Sequence, residues 1–452
     1  MSLSPYESEA TQGDLWIPSD LAPRSPGHPF YMKLNAVLRA ERFDPQLEAL
    51  CAPYYKEGGR PSIPVGVYFR MLVIGYFEGL GSQRAIAWRC ADSLSLREFL
   101  GLEAGARTPD HSSLTRIRQR LPLEVHEQVF ALVLGMAQKH KLLKGKTVLV
   151  DSTTLEADAA MRSIVRRDTG ENWTEYLKRL AAAEGIVDPT PEELARFDQQ
   201  RKREGKKKVS NEEWVSRTDS EAQITKMKDG TTHLAYKAEH AVDADSSLIV
   251  AAAIEPAGSS DGETLKARLI EAQVNLLRAG SEQAIEEVVG DKGYHKIETI
   301  GWTDEQGIDT YLPEKKQKGT RDWNKYSEQQ KDAYELNQQR VTSEYGRKLL
   351  RRRGELVERS FAHLCQTGGG RRTYLRGAEE TAKYLHLRAL AYNLGVLMRT
   401  LFGVGKPKVL QGGLKPLIEA ILAILRVMID LCVSHPTQDE QHSMSGQAFQ
   451  LN

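Results

Sequence analysis

The chain has 452 residues, and its 62 Lys and Arg residues almost balance its 61 Asp and Glu residues, which gives a formal net charge of +1. This balance excludes a wholly basic, histone-like nucleic-acid binder, so any binding to nucleic acid must depend on a local concentration of charge. The hydrophobic fraction of 40% and the charged fraction of 27% are those of an ordinary globular protein, and the length predicts two or three domains.

The cysteines and the two ends of the chain argue against a secreted or membrane protein. The four cysteines form no Cys-x-x-Cys pair, so we expect neither a zinc site nor a disulfide framework, and a reducing cytoplasm is the simplest location. Residues 1–30 are polar and rich in proline, which predicts a flexible leader without a secretory signal. Charged residues on one helical face interrupt the apolar segment Leu414–Val433, which predicts an amphipathic helix and not a membrane span.

Residues 31–143 have the apolar spacing of helices and contain no long strand pattern. Four helices are predicted. The first begins near Ser62, and the others run from Ser82 to Ala91, from Ser112 to Leu121 and from Leu123 to His140. Asp110 is the expected N-cap of the helix that starts at Ser112, because an Asp side chain can accept a hydrogen bond from the first turn. The sequence therefore predicts an all-α N-terminal region.

Strand patterns begin after Lys146. The predicted strands are Thr147–Val150, His233–Val242, Leu248–Ile254, Glu286–Val289 and Thr310–Leu312. The second and third form a hairpin. The first ends at Asp151, and the fourth ends at Gly290 and Asp291. The predicted helices are Gly262–Arg278, Gly354–Gln366 and Thr381–Leu401. This order predicts an α/β fold in which a mixed sheet carries helices on its faces.

Two polar segments interrupt this pattern. Residues 160–218 predict polar helices, with capping boxes at Thr190 with Glu193 and at Ser210 with Glu213. Residues 313–345 predict a polar connection before the helix at Gly354.

Three acidic residues occupy positions from which they could share a cleft. Asp151 and Asp291 each follow an apolar strand, and ligands of open α/β sheets gather at such strand ends. Glu358 lies at the flank of the apolar stripe of its predicted helix, whereas Glu355 lies nearer the opposite face, so Glu358 is the preferred third acid and Glu355 the second choice. Three carboxylates suit Mg²⁺ and phosphoryl transfer. The alternative is that Asp151 and Asp291 only cap helices or form turns.

Basic residues are concentrated in three places. Residues 340–376 contain ten Arg or Lys residues, among them Arg351, Arg352, Arg353, Arg359, Arg371 and Arg372. Residues 201–208 contain six, including Lys206, Lys207 and Lys208. The predicted helix Ser112–Leu121 presents Arg116, Arg118 and Arg120. Each set could contact DNA phosphates or bases, and each could instead be a solvated surface.

Four segments in this order look like the DDE transposases of bacterial insertion sequences. They are Val148–Thr153, His233–Asp243, Gly290–Tyr294 and Val357–Leu364. The region from Pro61 to Leu121 is similar to the helical N-terminal domain of the same transposases. The resemblance covers roughly residues 30–410.

The resemblance implies an RNase H-like catalytic domain in which Asp151, Asp291 and Glu358 form the catalytic triad. These acids would bind two divalent ions, Mg²⁺ or Mn²⁺. The implied reactions are cleavage at the element ends and strand transfer into target DNA. The implied partners are double-stranded DNA, both terminal inverted repeats and target, and a second copy of the chain on that DNA, with no membrane. The implied location is the bacterial cytoplasm, at the nucleoid.

The resemblance also implies a division of the chain. A leader at 1–30 would precede a helical domain at 31–143 that binds DNA ends. An RNase H-like domain at 144–402 would contain a helical insertion at about 156–232. A C-terminal helix and tail would occupy 403–452.

One family signature does not match. Many relatives carry Tyr-x2-Arg-x3-Glu-x6-Lys around the last acid, and the corresponding positions here hold Arg351, Gly354 and Cys365. Neighbouring arginines could contact phosphate in their place. Two other functions therefore stay open, an inactive transposase-derived DNA-binding protein and an RNase H-like nuclease without strand transfer.

Overall fold

The computed structural model describes residues 27–56, 58, 62–103, 106–206, 209–227, 230–316 and 321–410. The predicted leader up to residue 26, the predicted helix Leu414–Val433, Lys207 and Lys208 lie outside the described residues. None of the helices within these ranges is both long and apolar enough to cross a membrane.

The N-terminal region is helical, as predicted. Its helices are α1 (Pro29–Ala40), α2 (Phe43–Cys51), α3 (Val65–Glu78), α4 (Gln83–Asp92), α5 (Leu94–Phe99), α6 (His111–Arg120) and α7 (Leu123–Lys139). Asp110 caps α6 by accepting a hydrogen bond from the backbone N of Ser113 at 2.7 Å. α3 begins at Val65, slightly later than predicted, because Pro64 is its N-cap and not part of its first turn.

The C-terminal region contains a mixed sheet, which confirms the predicted α/β fold. Its strands are β1 (Thr147–Glu156), β4 (Gln223–Lys226), β5 (Thr232–Asp243), β6 (Ile249–Pro256), β7 (Glu287–Val289) and β8 (Asp309–Tyr311). The order across the sheet is β4-β5-β1-β7-β8. β4 pairs with the first residues of β5, and β6 pairs with the rest of β5. β1 is antiparallel to β5 and parallel to β7, which in turn is parallel to β8. This arrangement is consistent with an RNase H-like domain.

The prediction that β1 ends at Asp151 is wrong. The strand continues to Glu156 because β5 keeps pairing with it as far as Glu156 opposite Ala235. The parallel partner β7 stops much earlier, at Val289 opposite Leu149. Asp151 therefore lies inside β1, just beyond the point where its parallel neighbour ends.

The insertion between β1 and β4 contains a small two-stranded sheet of β2 (Ile164–Arg166) and β3 (Trp214–Ser216), and the helices α8 (Trp173–Ala183) and α9 (Pro191–Arg203). The predicted capping box at Thr190 and Glu193 begins α9. The one at Ser210 and Glu213 does not begin a helix. Trp214 directly follows it, and this side chain is buried in β3, so strand pairing replaces helix formation there.

The remaining helices are α10 (Asp261–Arg278), α11 (Ile297–Glu305), α12 (Glu328–Thr342), α13 (Glu344–Ala362) and α14 (Ala378–Phe402). The predicted polar connection 313–345 thus contains a helix, α12, which a capping box of Ser327 and Gln330 begins. α13 starts at Glu344, well before the predicted Gly354. A π-helical turn over His363–Thr367 follows it.

One hydrophobic core joins the N-terminal helices to the sheet. It includes Phe30 on α1, Phe130 on α7, Val289 on β7 and Leu390 on α14. α14 is buried along most of its length, and Asn393 on it both donates to and accepts from the backbone of Ile249 on β6. The helical region and the sheet are therefore packed together and share buried side chains.

Candidate active site

Asp151 is held in place by the arginine of a neighbouring helix. Nη2 of Arg353 on α13 lies 2.8 Å from Oδ2 of Asp151, and Nε of the same arginine donates to the carbonyl oxygen of Val150 at 3.2 Å. The other oxygen, Oδ1, accepts from the backbone N of Ser152 at 2.8 Å. The carboxylate is thus fixed from two sides, and only 22% of the side chain is exposed.

Asp291 follows the neighbouring parallel strand. The last parallel pair joins Leu149 to Val289, and Asp151 and Asp291 each lie two residues beyond it, Asp151 still within β1 and Asp291 after the end of β7. Asp291 begins a turn in which its Oδ1 accepts from the backbone N of Gly293 at 2.7 Å and its carbonyl oxygen accepts from Tyr294 N at 3.1 Å. The two predicted acids therefore lie on the same side of the last β1–β7 pair.

Glu358 faces Asp151 across an open cleft of about 600 Å³ between β1 and α13. Both side chains line this cleft, together with Arg371 and Cys365. Asp291 is not among its lining residues. Glu355 does not line it either, since it forms an ion pair with Arg359 along α13. The structure thus brings Glu358 and not Glu355 to the cleft of Asp151.

A fourth acid, Asp261, lies beside this group, and the sequence analysis did not single it out. It is the first residue of α10, and its Oδ1 accepts from Ser152 Oγ at 3.0 Å and from Lys237 Nζ at 3.1 Å. A Cβ on Gly293 would lie 2.5 Å from Asp261 Oδ2 and 2.8 Å from Asp291 Oδ1, so both carboxylates face the same point. The only sequence signal was an acid at the start of the predicted helix Gly262–Arg278.

The donor set suits a hard divalent cation. Its members are carboxylate oxygens, which Mg²⁺ and Mn²⁺ prefer, and the carboxylates of Asp261 and Asp291 face each other with like charge. Within the described ranges, no three His, Cys, Asp or Glu side chains are close enough to bind one ion together. The acids therefore have the oxygen ligands that such an ion prefers, but they are not gathered around one point. In this conformation Arg353 supplies the positive charge next to Asp151.

A buried ionic network lies next to Asp261 and stabilises its position. Lys237 on β5 contacts Glu239 at 2.9 Å as well as Asp261, and Glu239 is fully buried. Arg268 on α10 lies 3.6 Å from Glu239 and also pairs with Glu255 and Glu271. Burial and the nearby carboxylates, among them Glu239 and Asp261, raise the pKa of Tyr294 well above its usual value, so its hydroxyl group stays protonated. The network fixes the start of α10 against β5.

The histidines near the site are structural. His240 on β5 stacks on the ring of Phe361 at 3.7 Å between centroids and shares a 2.8 Å hydrogen bond with Ser360 Oγ. Burial lowers the pKa of His240 to about 3 and that of His363 to about 4, so both rings are neutral. Burial also lowers the pKa of His295.

The predicted DNA-binding arginines of α13 and the loop after it have different surroundings. Arg353 is turned inward to Asp151, while Arg351 is exposed and Arg352 is paired with Asp245 at 3.2 Å. Arg359 pairs with Glu355. The loop residue Arg371 is exposed at the cleft, and Arg372 lies 3.7 Å from both Glu156 and Asp158. In the insertion, Lys206 pairs with Glu204 at 2.7 Å.

The predicted recognition helix, α6, presents only two of its three arginines. Arg116 and Arg120 are exposed and line an open groove that also contains Lys56 and Tyr54. Arg118 is buried in an ion pair with Glu380 at the start of α14. The side chain of Arg118 therefore faces the protein interior and not the groove, and its predicted contact with DNA stays a prediction that this packing does not favour.

Comparison with known protein families gives two matches. The model described as "Transposase DDE domain" matches residues 142–394, which is more than half of the chain. The model described as "Transposase domain (DUF772)" matches residues 19–120. No curated protein and no solved structure matches the chain.

Proposed function

We propose that this chain, which belongs to the family of the transposase DDE domain, cleaves DNA at the ends of an insertion sequence and joins those ends to target DNA. The family membership indicates a DNA transposase. The proposal adds the two reactions and their residues. The observation that carries it is that Asp151 lies on β1 and Asp291 follows its parallel neighbour β7, each two residues beyond the last parallel pair, with Glu358 lining the same cleft as Asp151.

Asp151, Asp291 and Glu358 are the proposed catalytic acids and would hold the divalent ions, Mg²⁺ or Mn²⁺, of which the resemblance implies two. When bound, such ions help to deprotonate an attacking hydroxyl group and stabilise charge on the leaving oxygen of an in-line displacement. The protein supplies a fixed frame for this chemistry, since hydrogen bonds from Ser152 N and Gly293 N orient Asp151 and Asp291. A rigid frame is the main protein contribution to phosphoryl transfer, which depends on positioning and electrostatics.

Two basic surfaces are the proposed DNA contacts. Arg371 is exposed at the cleft and Arg351 is exposed on α13, and no ion pair of theirs occurs among the described residues, so their charge is available for a DNA phosphate. In residues 31–143, the proposed DNA-end-binding domain, the groove of Arg116, Arg120 and Lys56 is open and offers the exposed ring of Tyr54. Arginine and lysine beside an aromatic ring suit a DNA backbone. Two ends must be brought together, so we expect a homodimer on DNA.

A joining assay tests the proposal. The protein is incubated with Mg²⁺, DNA that carries the inverted repeats flanking its gene, and a target plasmid. Wild type should cut and join, while Asp151→Asn, Asp291→Asn and Glu358→Gln should each lose at least about 1000-fold in rate, as removal of central catalytic groups does. Glu355→Gln is the matched control on the same helix and should remain active.

The other outcomes identify the alternatives. DNA binding without metal-dependent cutting would contradict the proposal and identify an inactive DNA-binding protein. Cutting without joining would identify a nuclease. Activity that survives Glu358→Gln but not Glu355→Gln would move the third acid to Glu355.

A further inference from the structure

The geometry points to Asp261 as a positioning residue that sets the separation of two acids, Asp151 within β1 and Asp291 just after β7. This inference rests on the proposed function and goes beyond its three acids. Asp261 comes from a different element, the first residue of α10, and contacts the surroundings of both acids at once. It therefore lies between the two positions and can link them.

The link to β1 passes through Ser152. The hydroxyl group of Ser152 donates to Asp261 Oδ1 at 3.0 Å, and the backbone N of the same residue donates to Asp151 Oδ1 at 2.8 Å. Ser152 thus connects the two carboxylates through one residue. A movement of Asp261 must move Ser152 or break its hydrogen bond.

The link to Asp291 passes through the turn at Gly293. Asp261 Oδ2 and Asp291 Oδ1 both lie within 3 Å of the place that a Cβ of Gly293 would occupy. Gly293 N donates to Asp291 Oδ1 at 2.7 Å. Only a residue without a side chain lets the Asp261 carboxylate approach this turn so closely.

Asp261 itself is held rigidly, which a positioning residue requires. Lys237 contacts it at 3.1 Å with a side chain that is only 8% exposed, and the same ammonium group contacts Glu239 and the carbonyl oxygen of Ser259. The N-terminal end of α10 also favours a negative charge at its first residue. The contact from Lys237 comes from β5, so Asp261 connects Asp151 and Asp291 to the buried ionic network.

The consequence is a dependence of metal affinity on Asp261. Groups that orient metal-binding side chains usually change affinity about 10- to 100-fold when they are removed. Asp261→Asn keeps the shape but weakens the contact to Lys237, so the Mn²⁺ dissociation constant of the full-length protein should rise about tenfold. Cleavage should fall at low Mg²⁺ and largely recover at saturating Mg²⁺. Asp261→Glu should restore part of the affinity.

Mn²⁺ titration calorimetry without DNA tests this, with thermal unfolding as the measure of folding. Glu328→Gln is the matched control, because Glu328 is the exposed first residue of another helix, α12. Ser152→Ala removes only the hydroxyl link and should also weaken Mn²⁺ binding, so it carries the test if Asp261→Asn unfolds. Weaker Mn²⁺ binding in Asp261→Asn or Ser152→Ala, with Glu328→Gln unchanged, supports the inference.

Two results overturn it and differ from each other. If Asp151→Asn and Asp291→Asn weaken Mn²⁺ binding while Asp261→Asn and Ser152→Ala bind like wild type, the inference is wrong and the proposed metal site stands. If Asp151→Asn and Asp291→Asn also bind like wild type, the proposed metal site is wrong and the inference falls with it.

Discussion

Arg353 on α13 and Asp151 on β1 form an ion pair, with Nη2 of the arginine 2.8 Å from Oδ2 of the carboxylate. Their side chains are 14% and 22% exposed, so water screens the attraction less than at an open surface. Arg353 therefore neutralises the same carboxylate that a divalent ion is proposed to neutralise. If a divalent ion binds there as proposed, the arginine and the ion would compete for Asp151, and an arginine released from it would be free to contact a DNA phosphate.

Arg353→Gln should raise the affinity for Mn²⁺ several-fold in the absence of DNA, because the competing positive charge is gone. The same change should lower the free energy of unfolding in EDTA by about 1–3 kcal/mol, since a partly buried carboxylate loses its partner. Calorimetric titration and denaturant unfolding measure the two effects. Arg352→Gln is the control, because its pair with Asp245 is more exposed. Equal Mn²⁺ affinity in both variants and wild type would show that no competition occurs.

The sequence predicted the strand-end acids because their signal is local. An apolar β-branched run before Asp151 and another before Asp291 indicate two buried strands, and the structure pairs these strands in parallel. The orientation of Glu358 followed from helical geometry in the same way. The predicted end of β1 was wrong because the true end depends on pairing with β5, a strand about 80 residues further along the chain.

The roles of Arg353 and Asp261 were not predictable, because each depends on how distant elements pack. Three consecutive arginines, Arg351 to Arg353, look alike in sequence, and only the packing of α13 on β1 turns one of them inward. α12 was missed for a related reason. It has few buried apolar residues, and the buried Asn337 attaches it by hydrogen bonds to both the N and the O of Leu312.

Gly293→Ala should reduce DNA cleavage about 100-fold, as small misplacements of reacting groups do. The new methyl group would meet Asp261 Oδ2 at 2.5 Å and Asp291 Oδ1 at 2.8 Å, so at least one carboxylate must move. A cleavage assay measures the loss. Gly354→Ala is the control, because no atom lies within 4 Å of its added Cβ, and it should stabilise α13 by about 1 kcal/mol. Full activity of Gly293→Ala would contradict the close approach of the two acids.

His126 should make the folded protein less stable as the pH falls. Burial lowers its pKa to about 4, so the folded protein keeps the ring neutral, whereas the unfolded chain protonates near the usual value of about 6.5. The unfolded state therefore binds more protons between these pH values, and the free energy of unfolding decreases as the pH falls through them. Above about pH 6.5 the ring is neutral in both the folded and the unfolded state, so His126 no longer lowers the free energy of unfolding.

His126→Gln should reduce the slope of unfolding free energy against pH by up to about 1.4 kcal/mol per pH unit between pH 6.5 and 4. Denaturant unfolding at several pH values measures it. Gln119→Ala, a change of an exposed side chain without an ionisable group, is the control and should keep the wild-type slope. A slope in His126→Gln that matches wild type would mean that His126 is not held neutral.

The arginines of α6 should separate DNA binding from folding. Arg118→Ala removes the ion pair with Glu380 across the interface of α6 and α14 and leaves Glu380 with Lys383 alone at 2.7 Å, so it should cost about 1–3 kcal/mol of unfolding free energy. Arg116→Ala and Arg120→Ala change exposed residues of the groove and should unfold almost like wild type. Each should instead weaken binding to the element ends and lower the salt dependence of binding by about one unit of slope, as loss of one phosphate contact does.

Mobility-shift titration at several salt concentrations, together with denaturant unfolding, distinguishes these effects. Arg42→Ala is the matched control, because Arg42 is another arginine of the helical region, lies outside the groove and pairs with no acid among the described residues. If Arg116→Ala and Arg120→Ala keep the wild-type affinity and salt slope, the groove beside α6 does not contact the element ends. DNA recognition would then have to depend on another surface, and the exposed arginines Arg351 on α13 and Arg371 at the cleft would be the next to test.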